Sequence, residues 1–339
     1  MTQGTGSRVA PYASAAIALV VLTALAFAVG RYPVSPADLL GLLWSKATGS
    51  SHALPANLES VIFQVRGPRV LAALLVGASL AAAGTAYQGM FRNPLVSPDL
   101  LGVSTGAALG AVLAIFLSLG ALLVQAFAFA GGLAAVALVH AVGSRMRGHD
   151  PLLALVLVGV VIGSLLGSAI ALLKYLADPY NQLPAITFWL LGSLASIAPK
   201  DLLGAAPLAL AALAPMLLLR WRINLLALPD DEARALGVDT VKLRTLVIAA
   251  ATLMTAAAVA ISGIIGWVGL LVPHAARLLV GPGFGRLLPL AMLMGAAFLL
   301  GVDTLCRTLS GIEIPPGVLT ALIGTPLFLW LFALSRRAW

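Results

Sequence analysis

The sequence predicts an all-α polytopic membrane protein. Of its 339 residues, 61% are hydrophobic and only 9% are charged, whereas a soluble domain carries roughly 25% charged residues. The apolar residues fall into runs of about 20, the length that a helix needs to cross a bilayer. This composition cannot cover a water-facing surface, so we expect residues 1–339 to form a single transmembrane domain in the cell (inner) membrane.

Ten apolar runs are predicted to span the membrane. The first is longer than a signal-peptide core and lacks a small-residue cleavage site, so we expect it to be retained. The eighth contains Pro273, which is expected to break the helix. The ten runs are 12–30, 65–90, 100–119, 121–142, 152–177, 202–219, 246–261, 264–280, 287–305 and 318–334.

Besides the polar stretch between the sixth and seventh runs, two longer connections separate these runs. Residues 31–64 are rich in Pro, Ser and Gly and have room for one short amphipathic helix, while 178–200 is a mixed loop with an apolar patch at 188–192. Small residues dominate the runs themselves, as in Gly159, Gly163 and Gly167. Because small residues permit close helix–helix packing, the sequence predicts a compact bundle that also packs against another membrane subunit.

The positive charges indicate the topology. The net charge is +8, and Lys and Arg lie at the ends of apolar runs rather than in one block, which excludes a nucleic-acid patch. With the N- and C-termini in the cytoplasm, the inner loops receive most of them. The inner residues are then Arg92, Arg145, Arg147, Arg220, Arg222, Arg234, Lys242, Arg244, Arg277, Arg286, Arg336 and Arg337.

The most polar stretch is 220–244, here called the coupling segment. Asp230 is expected to cap a short helix, acidic residues follow in its first turn, and Gly237 suits a left-handed stop. A helix of about two turns is not stable alone, so it must dock on something. We interpret it as a contact for a soluble partner; the alternative is a structured loop. The contact residues would be Asp230, Asp231, Glu232, Ala233, Arg234, Ala235, Leu236 and Gly237.

The sequence lacks several motifs of catalysis and metal binding. Neither a P-loop nor H-E-x-x-H occurs, and a single cysteine, Cys306, permits no internal disulfide. Residues 102–106 match G-x-S-x-G, and His140 is a conceivable partner of Ser104 in an intramembrane serine protease. That motif needs a strand–turn–helix, however, and here it opens a span, so we expect no catalytic and no metal site.

Four motifs in this chain resemble FecCD-type permeases, the membrane subunits of type II ABC importers for iron–siderophore complexes, haem and cobalamin. They follow one another in family order over nearly the whole chain after the first span. They are R-G-P-R-V-L-A-A-L-L-V-G-A at 66–78 with Gln88 and R-N-P-L at 92–95; E-A-R-A-L-G at 232–237; G-I-I-G-W-V-G-L-L-V-P-H-A-A-R at 263–277; and Asp303 and Arg307 with E-I-P-P-G at 313–317 and T-A-L-I-G-T-P at 320–326.

The resemblance implies an assembly. A second copy of this chain would complete the pathway, two ATPase subunits would receive the coupling segments, and a substrate-binding protein would dock outside. ATP and Mg would bind to the ATPase, with no cofactor in this chain. Arg66, Arg69 and Arg307 would pair with glutamates of the binding protein, for which a bidentate guanidinium is suited. Without the resemblance, they would be interpreted as arginines snorkelling to the headgroups.

Other residues of these motifs are expected to be structural. Gln88 and Asn93, with Pro94, are predicted to form the turn between the second and third spans. Asp303 lies four residues before Arg307, a spacing that permits an ion pair on a helix. His274, after Pro273, is expected to be packed rather than to bind haem or a metal.

The predicted function is therefore that of a non-enzymatic permease subunit in an ATP-driven importer. An iron–siderophore complex is the first choice of cargo, haem the second, cobalamin the third and an oxyanion such as molybdate the fourth. The alternative class is an ion-coupled secondary transporter, which needs carboxylates near the midplane; Asp303 is the only strong candidate.

Overall fold

The chain folds into an all-α bundle, which confirms the predicted fold class. A computed structural model describes residues 6–30, 32, 34–48, 57–146 and 151–334. A π-helix, Val61–Arg66, joins α3 to α4, and a 3-10 helix, Pro98–Leu101, precedes α5. The α-helices in the described residues are α1 Gly6–Ala28, α2 Pro36–Thr48, α3 Leu58–Ser60, α4 Gly67–Phe91, α5 Val103–Phe116, α6 Ala121–Gly143, α7 Pro151–Leu176, α8 Gln182–Leu190, α9 Pro199–Leu218, α10 Arg220–Leu225, α11 Asp230–Ala235, α12 Thr240–Ser262, α13 Val268–Val280, α14 Phe284–Thr308 and α15 Pro316–Leu334.

Ten of these helices follow the ten predicted spans in order. Within the described residues, eight are long and apolar enough to cross a membrane. The other two, α5 and α13, have 14 and 13 residues, or about 20 Å at 1.5 Å per residue, shorter than a hydrocarbon core of about 30 Å. The orientation of the termini stays a prediction, because the packing of the helices does not tell one side of the membrane from the other. Arg147, Arg336 and Arg337, on which the prediction partly rests, lie outside the described residues.

The centre of the bundle is formed by α4, α12 and α14, because most residues in the apolar part of each of these helices are buried. The helices α1, α7, α9 and α15 lie at the periphery. Glycines bring the central helices into backbone contact. A Cβ added to Gly84 would overlap the carbonyl oxygen of Gly269 on α13, and one added to Gly77 would overlap that of Gly295 on α14. The small residues therefore serve the close packing that the sequence predicts.

The predicted break at Pro273 is wrong. Pro273 lies inside a continuous α13, and the non-helical stretch lies before it, at residues 263–267. Gly263 has φ 66° and Trp267 has φ 71°, so the backbone turns sharply there. Because proline has no N–H, the carbonyl four residues earlier lacks its usual helical hydrogen-bond donor. That carbonyl belongs to Gly269, and it is the one packed against Gly84.

The irregular backbone before α13 is enclosed by two other chain segments. The N–H of Ser193 donates to the carbonyl of Ser262 at 2.8 Å, and the N–H of Gly317 donates to that of Leu191 at 3.1 Å. Non-helical backbone within a bilayer is tolerated only where protein or water satisfies its polar groups. These contacts join α8, α12 and α15 at the end of the bundle opposite α11.

The long connections contain more helix than predicted. The short helix expected in 31–64 is α2, Pro36–Thr48. The segment treated as a mixed loop, 178–200, contains α8, whose last residues are the apolar patch. Asp178 accepts hydrogen bonds from the N–H groups of Tyr180 and Asn181 at 3.2 and 2.7 Å, which shapes the turn into α8.

Candidate functional site

The coupling segment folds as two short helices, α10 and α11, followed by the start of the span α12. From the end of α9, the chain forms α10, then α11, and enters α12 at Thr240. Gly237 has φ 80°, so the predicted left-handed stop of the short helix is confirmed. The N-cap of α12 is Asp239, whose carboxylate accepts from the N–H of Lys242 at 3.0 Å. That bond also holds the pKa of Asp239 below its usual value.

The predicted capping role of Asp230 is wrong. The N-cap of α11 is Pro229, and Asp230 is the first helical residue. Its carboxylate instead accepts two hydrogen bonds from the guanidinium of Arg244 on α12, one of them 2.8 Å long. The Arg244 side chain is 9% exposed and that of Asp230 is 30% exposed. This bidentate pair attaches the short helix to a long span.

The exposed face of α11 combines charge with apolar surface. Ala233 is buried against the protein, whereas Asp231, Glu232 and Arg234 are exposed. Leu236, at the end of the helix, is 60% exposed. A single exposed leucine is common on protein surfaces, so this face does not by itself identify a partner.

We expect Asp230→Asn to release α11 from α12. The Arg244 hydrogen bonds lower the pKa of Asp230, so their stabilisation is complete above the unfolded pKa of about 4 and is lost as pH falls through the folded value. Losing them should cost about 2 kcal/mol locally. Hydrogen exchange should therefore accelerate in residues 229–238 of the variant. In the wild type, the protection factors of these residues should stay constant between pH 6 and 8, once the pH dependence of the intrinsic exchange rate is removed.

At the opposite end, four charged side chains form one buried cluster, here called the arginine–carboxylate cluster: Arg69, Asp303, Arg307 and Glu313. Asp303 is fully buried. It accepts from Nε of Arg69 at 2.9 and 3.1 Å and from Nη2 at 2.8 Å. Nε of Arg307 lies 3.3 Å from the other side of the carboxylate. The ion pair predicted between Asp303 and Arg307 is therefore present.

Glu313 extends this cluster to the segment before α15. It accepts hydrogen bonds from both Nη1 and Nη2 of Arg69, the former at 3.3 Å, and its side chain is 33% exposed. The two guanidinium groups and two carboxylates balance in charge, as buried ions require. The cluster thus joins α4 to α14 and to the loop that leads into α15.

The third arginine predicted for docking has internal partners as well. Arg66 is 5% exposed, and its guanidinium donates to the carbonyls of Phe27 and Tyr32. Arg307 donates to the carbonyl of Ala26 at 3.3 Å. A role of Arg66, Arg69 and Arg307 in docking stays a prediction, and it requires at least one of these side chains to change partners.

The structural motif after α4 has two parts. Asn93 does form a turn, since its side-chain oxygen accepts from the N–H of Leu95 at 2.9 Å across Pro94. Gln88 takes part in this turn through its backbone, because its carbonyl accepts from the N–H of Asn93 at 3.2 Å. Its side chain links α4 to α13, since Nε2 donates to the carbonyl of Leu270 at 2.9 Å.

His274 and the G-x-S-x-G motif show no catalytic arrangement. His274 is fully buried, and its ring lies 5.7 Å from that of Phe328. The hydroxyl of Ser104 donates to Asp99, while Nδ1 of His140 has no hydrogen-bond partner among the described residues. The described residues contain no group of three or more His, Cys, Asp or Glu that could hold a metal ion.

A cavity of about 600 Å³ opens beside the arginine–carboxylate cluster. It lies between the ends of α5, α8 and α12, the start of α6, and the segment before α15. Its walls are mainly apolar, with Phe188 and Trp189 contributing rings and Gln125 and Ser262 contributing polar groups. Glu313 is the one charged residue among those that line it.

Comparison with known proteins identifies the family. The model of the FecCD transport family matches residues 18–333. The chain belongs to the FecCD transport family. It is 44% identical over 312 residues to the molybdate import permease MolB of Haemophilus influenzae, covering 91% of each chain. It is 42% identical over 304 residues to the hemin permease HmuU of Yersinia pestis, covering 87% of this chain and 88% of the relative.

Solved structures agree with this membership. The FecCD chain superimposes with a TM-score of 0.85 on an inward-facing ABC transporter described as of the metal-chelate type, at 40% identity, with 94% of this chain and 97% of the other covered. PsaBC of Streptococcus pneumoniae shares the fold at 16% identity, with a TM-score of 0.60 and coverage of 81% and 94%.

Membership in this family settles the class of protein. The chain is a multi-pass membrane permease subunit of a type II ABC importer and is not itself catalytic; ATP binds to a partner ATPase. Both alternatives, the ion-coupled secondary transporter and the intramembrane protease, are therefore wrong. The secondary-transporter alternative depended on the carboxylate of Asp303. That carboxylate is fully buried and bound by two arginines, so it is not free to bind a coupling ion.

Several contacts of the site could not be found from sequence spacing. Arg69 and Asp303 are 234 positions apart, and Arg69 and Glu313 are 244 apart. Asp230 and Arg244 are closer in the chain, but no helical periodicity links them because Gly237 ends α11 between them. The sequence indicated the Asp230–Arg244 pair only by the opposite charges of two residues within one polar segment.

Proposed function

We propose that two copies of this FecCD-family chain form the translocation pathway of an importer for an iron chelate. The observation that carries the proposal is the path from α11 through α12. Arg244 attaches the short helix near one end of α12, and the other end, Ser262, lines the cavity of about 600 Å³. The 23 residues of α12 extend about 34 Å, so a displacement of α11 by an ATPase is carried across the bundle.

A second copy is supported by the peripheral helices. Most of α7 and α15 is not buried within one chain. Gly163 and Gly167 on α7 have open space where a Cβ would lie, although small residues offer lipid no advantage over larger ones. We infer that α7 packs against the partner copy, with the pathway between the two.

The cavity favours a bulky chelate as cargo. A volume of about 600 Å³ with aromatic and apolar walls suits a large, weakly held complex. The residues that line it include no cation to pair with a bare oxyanion, and their one charged member, Glu313, is bound to Arg69. Relatives described as iron chelatin permeases are 42% and 41% identical to this chain.

Molybdate is the second candidate, favoured by the 44% identity to MolB over 91% of both chains. The two cargoes are distinguished by reconstituting the complete importer, with its ATPase and binding protein, in proteoliposomes. We expect accumulation of radioactive iron as a ferric chelate, dependent on ATP, and none of radioactive molybdate. Uptake of molybdate alone would contradict the chelate proposal.

We expect Leu236→Asp to separate the permease from its ATPase. Placing a carboxylate where an apolar side chain enters a partner surface should cost about 2 kcal/mol of binding free energy. Co-purification of the ATPase with the tagged chain measures it. Lys242→Ala is the matched control, because this neighbouring side chain is 87% exposed. Equal recovery of the ATPase with both variants would show that α11 is not part of the interface.

Docking of the binding protein is proposed to use Arg69 and Arg307 after Glu313 withdraws. Glu313→Gln should therefore tighten binding, because it removes a competing carboxylate, and Arg307→Gln should weaken it, each by about fivefold. Affinity for the purified binding protein measures both effects, with Lys46→Gln as a charge control. If neither variant changes affinity, these arginines serve the fold alone.

A further inference from the structure

A basic cavity lies at the same end of the bundle as α11, between α10 and the start of α14. It is a cavity of about 630 Å³ lined by Arg220, Trp221, Asn224, Gly283, Gly285 and Arg286. Two of these six residues are cationic and none is acidic. A concave site with this charge favours an anion.

The two arginines converge on one turn of backbone. A Cβ added to Gly285 would lie 3.5 Å from Cδ of Arg220, and one added to Gly283 would lie 3.6 Å from a guanidinium nitrogen of Arg286. Both side chains therefore lie over the first turn of α14. The 25-residue helix α14 also directs its positive dipole end toward the same place.

Two further hydrogen bonds hold the turn in position. The side-chain oxygen of Asn224 on α10 accepts from the N–H of Phe284 at 3.1 Å. From the other side, the hydroxyl of Tyr12 on α1 donates to the carbonyl of Arg286 at 2.8 Å. The cavity is thus lined by α10 and the start of α14, and α1 holds that start in place.

The surroundings indicate where the anion comes from. Trp221 is 78% exposed, and Leu218, at the end of the apolar span α9, is 81% exposed. Apolar surface therefore continues from the basic cavity along a helix that faces lipid, with a tryptophan at the boundary, as is usual at a membrane interface. A soluble phosphate would make no use of that surface, whereas acyl chains would cover it.

We propose that this cavity binds the phosphate headgroup of an anionic phospholipid, with its acyl chains along α9. Basic pockets between spans favour such headgroups. A lipid bound here would contact α14 and α10, which is the first helix of the coupling segment. The site is separate from the pathway and from α11, so it holds whichever cargo is carried.

The test compares lipid retention by full-length variants in complex with the ATPase. Native mass spectrometry after delipidation and add-back of phosphatidylglycerol or phosphatidylcholine gives the bound fraction. We expect the wild type to retain phosphatidylglycerol in preference to phosphatidylcholine, and the double variant Arg220→Gln with Arg286→Gln to bind it about thirtyfold more weakly. Arg222→Gln, on the same helix but outside the cavity lining, should bind as the wild type does.

Several outcomes would overturn the proposal. Equal retention of phosphatidylglycerol by the double and the Arg222 variants would do so. Competition by inorganic phosphate at micromolar concentration would assign the cavity to a free anion, and loss of the ATPase from the double variant with unchanged lipid retention would assign the arginines to that partner. If the double variant does not fold, the wild type's preference between the two lipids decides: equal affinity excludes the site.

Discussion

Gly84→Ala is expected to destabilise the permease strongly, although it adds only one methyl group. The new Cβ would overlap the carbonyl oxygen of Gly269, where α4 crosses α13. Seven residues earlier, α4 is also in backbone contact with α14 through Gly77 and Gly295, so it cannot move away from one neighbour without disturbing the other. Overpacking of this kind costs about 3 kcal/mol.

The matched control is Gly89→Ala on the same helix. A Cβ at Gly89 has no atom within 4 Å, and alanine is favoured over glycine in a helix by about 1 kcal/mol. Melting temperature and the monodisperse fraction in detergent should therefore fall for Gly84→Ala and stay the same or rise for Gly89→Ala. Equal stability of the two variants would show that α4 and α13 do not pack as described.

The second large effect is expected for Asp303→Asn. The amide keeps the shape of the side chain but removes the charge that Arg69 and Arg307 share. Breaking a buried ion pair by neutralising one partner costs about 3–5 kcal/mol, because the remaining charges stay buried without compensation. Glu313 can offset only part of this, since it binds Arg69 and is itself one-third exposed.

Glu59→Gln provides the comparison at an exposed ion pair. Glu59 binds Lys46, and both side chains are more than half exposed, so its loss should cost no more than about 1 kcal/mol. Unfolding in denaturant, followed for both purified variants, measures the difference. A change for Asp303→Asn as small as that for Glu59→Gln would mean that water reaches the cluster.

The ten spans could be predicted because their cause is local. About 20 apolar residues between polar ends specify a helix across lipid, whatever its neighbours are. The shortness of α5 and α13 could not be predicted this way. The 263–267 backbone leaves helical geometry where it packs against Gly192 and Gly317, which come from distant parts of the chain.

The candidate site shows the same division. The stop at Gly237 follows from one residue's backbone freedom and was predictable. The partner of Asp230 was not, because an acidic residue at a helix start can cap the helix or bind a neighbouring arginine, and only the position of α12 decides. The arginine–carboxylate cluster likewise depends on how α4 and α14 pack.

The single thiol of this chain has a practical consequence for following transport. Cys306 is fully buried in α14, so maleimide reagents should leave the native protein unlabelled. A cysteine introduced at Lys242, whose side chain is 87% exposed, would then be the sole reactive position. Spin labels attached there in two copies would report the separation of the coupling segments during ATP turnover, without prior removal of a native cysteine.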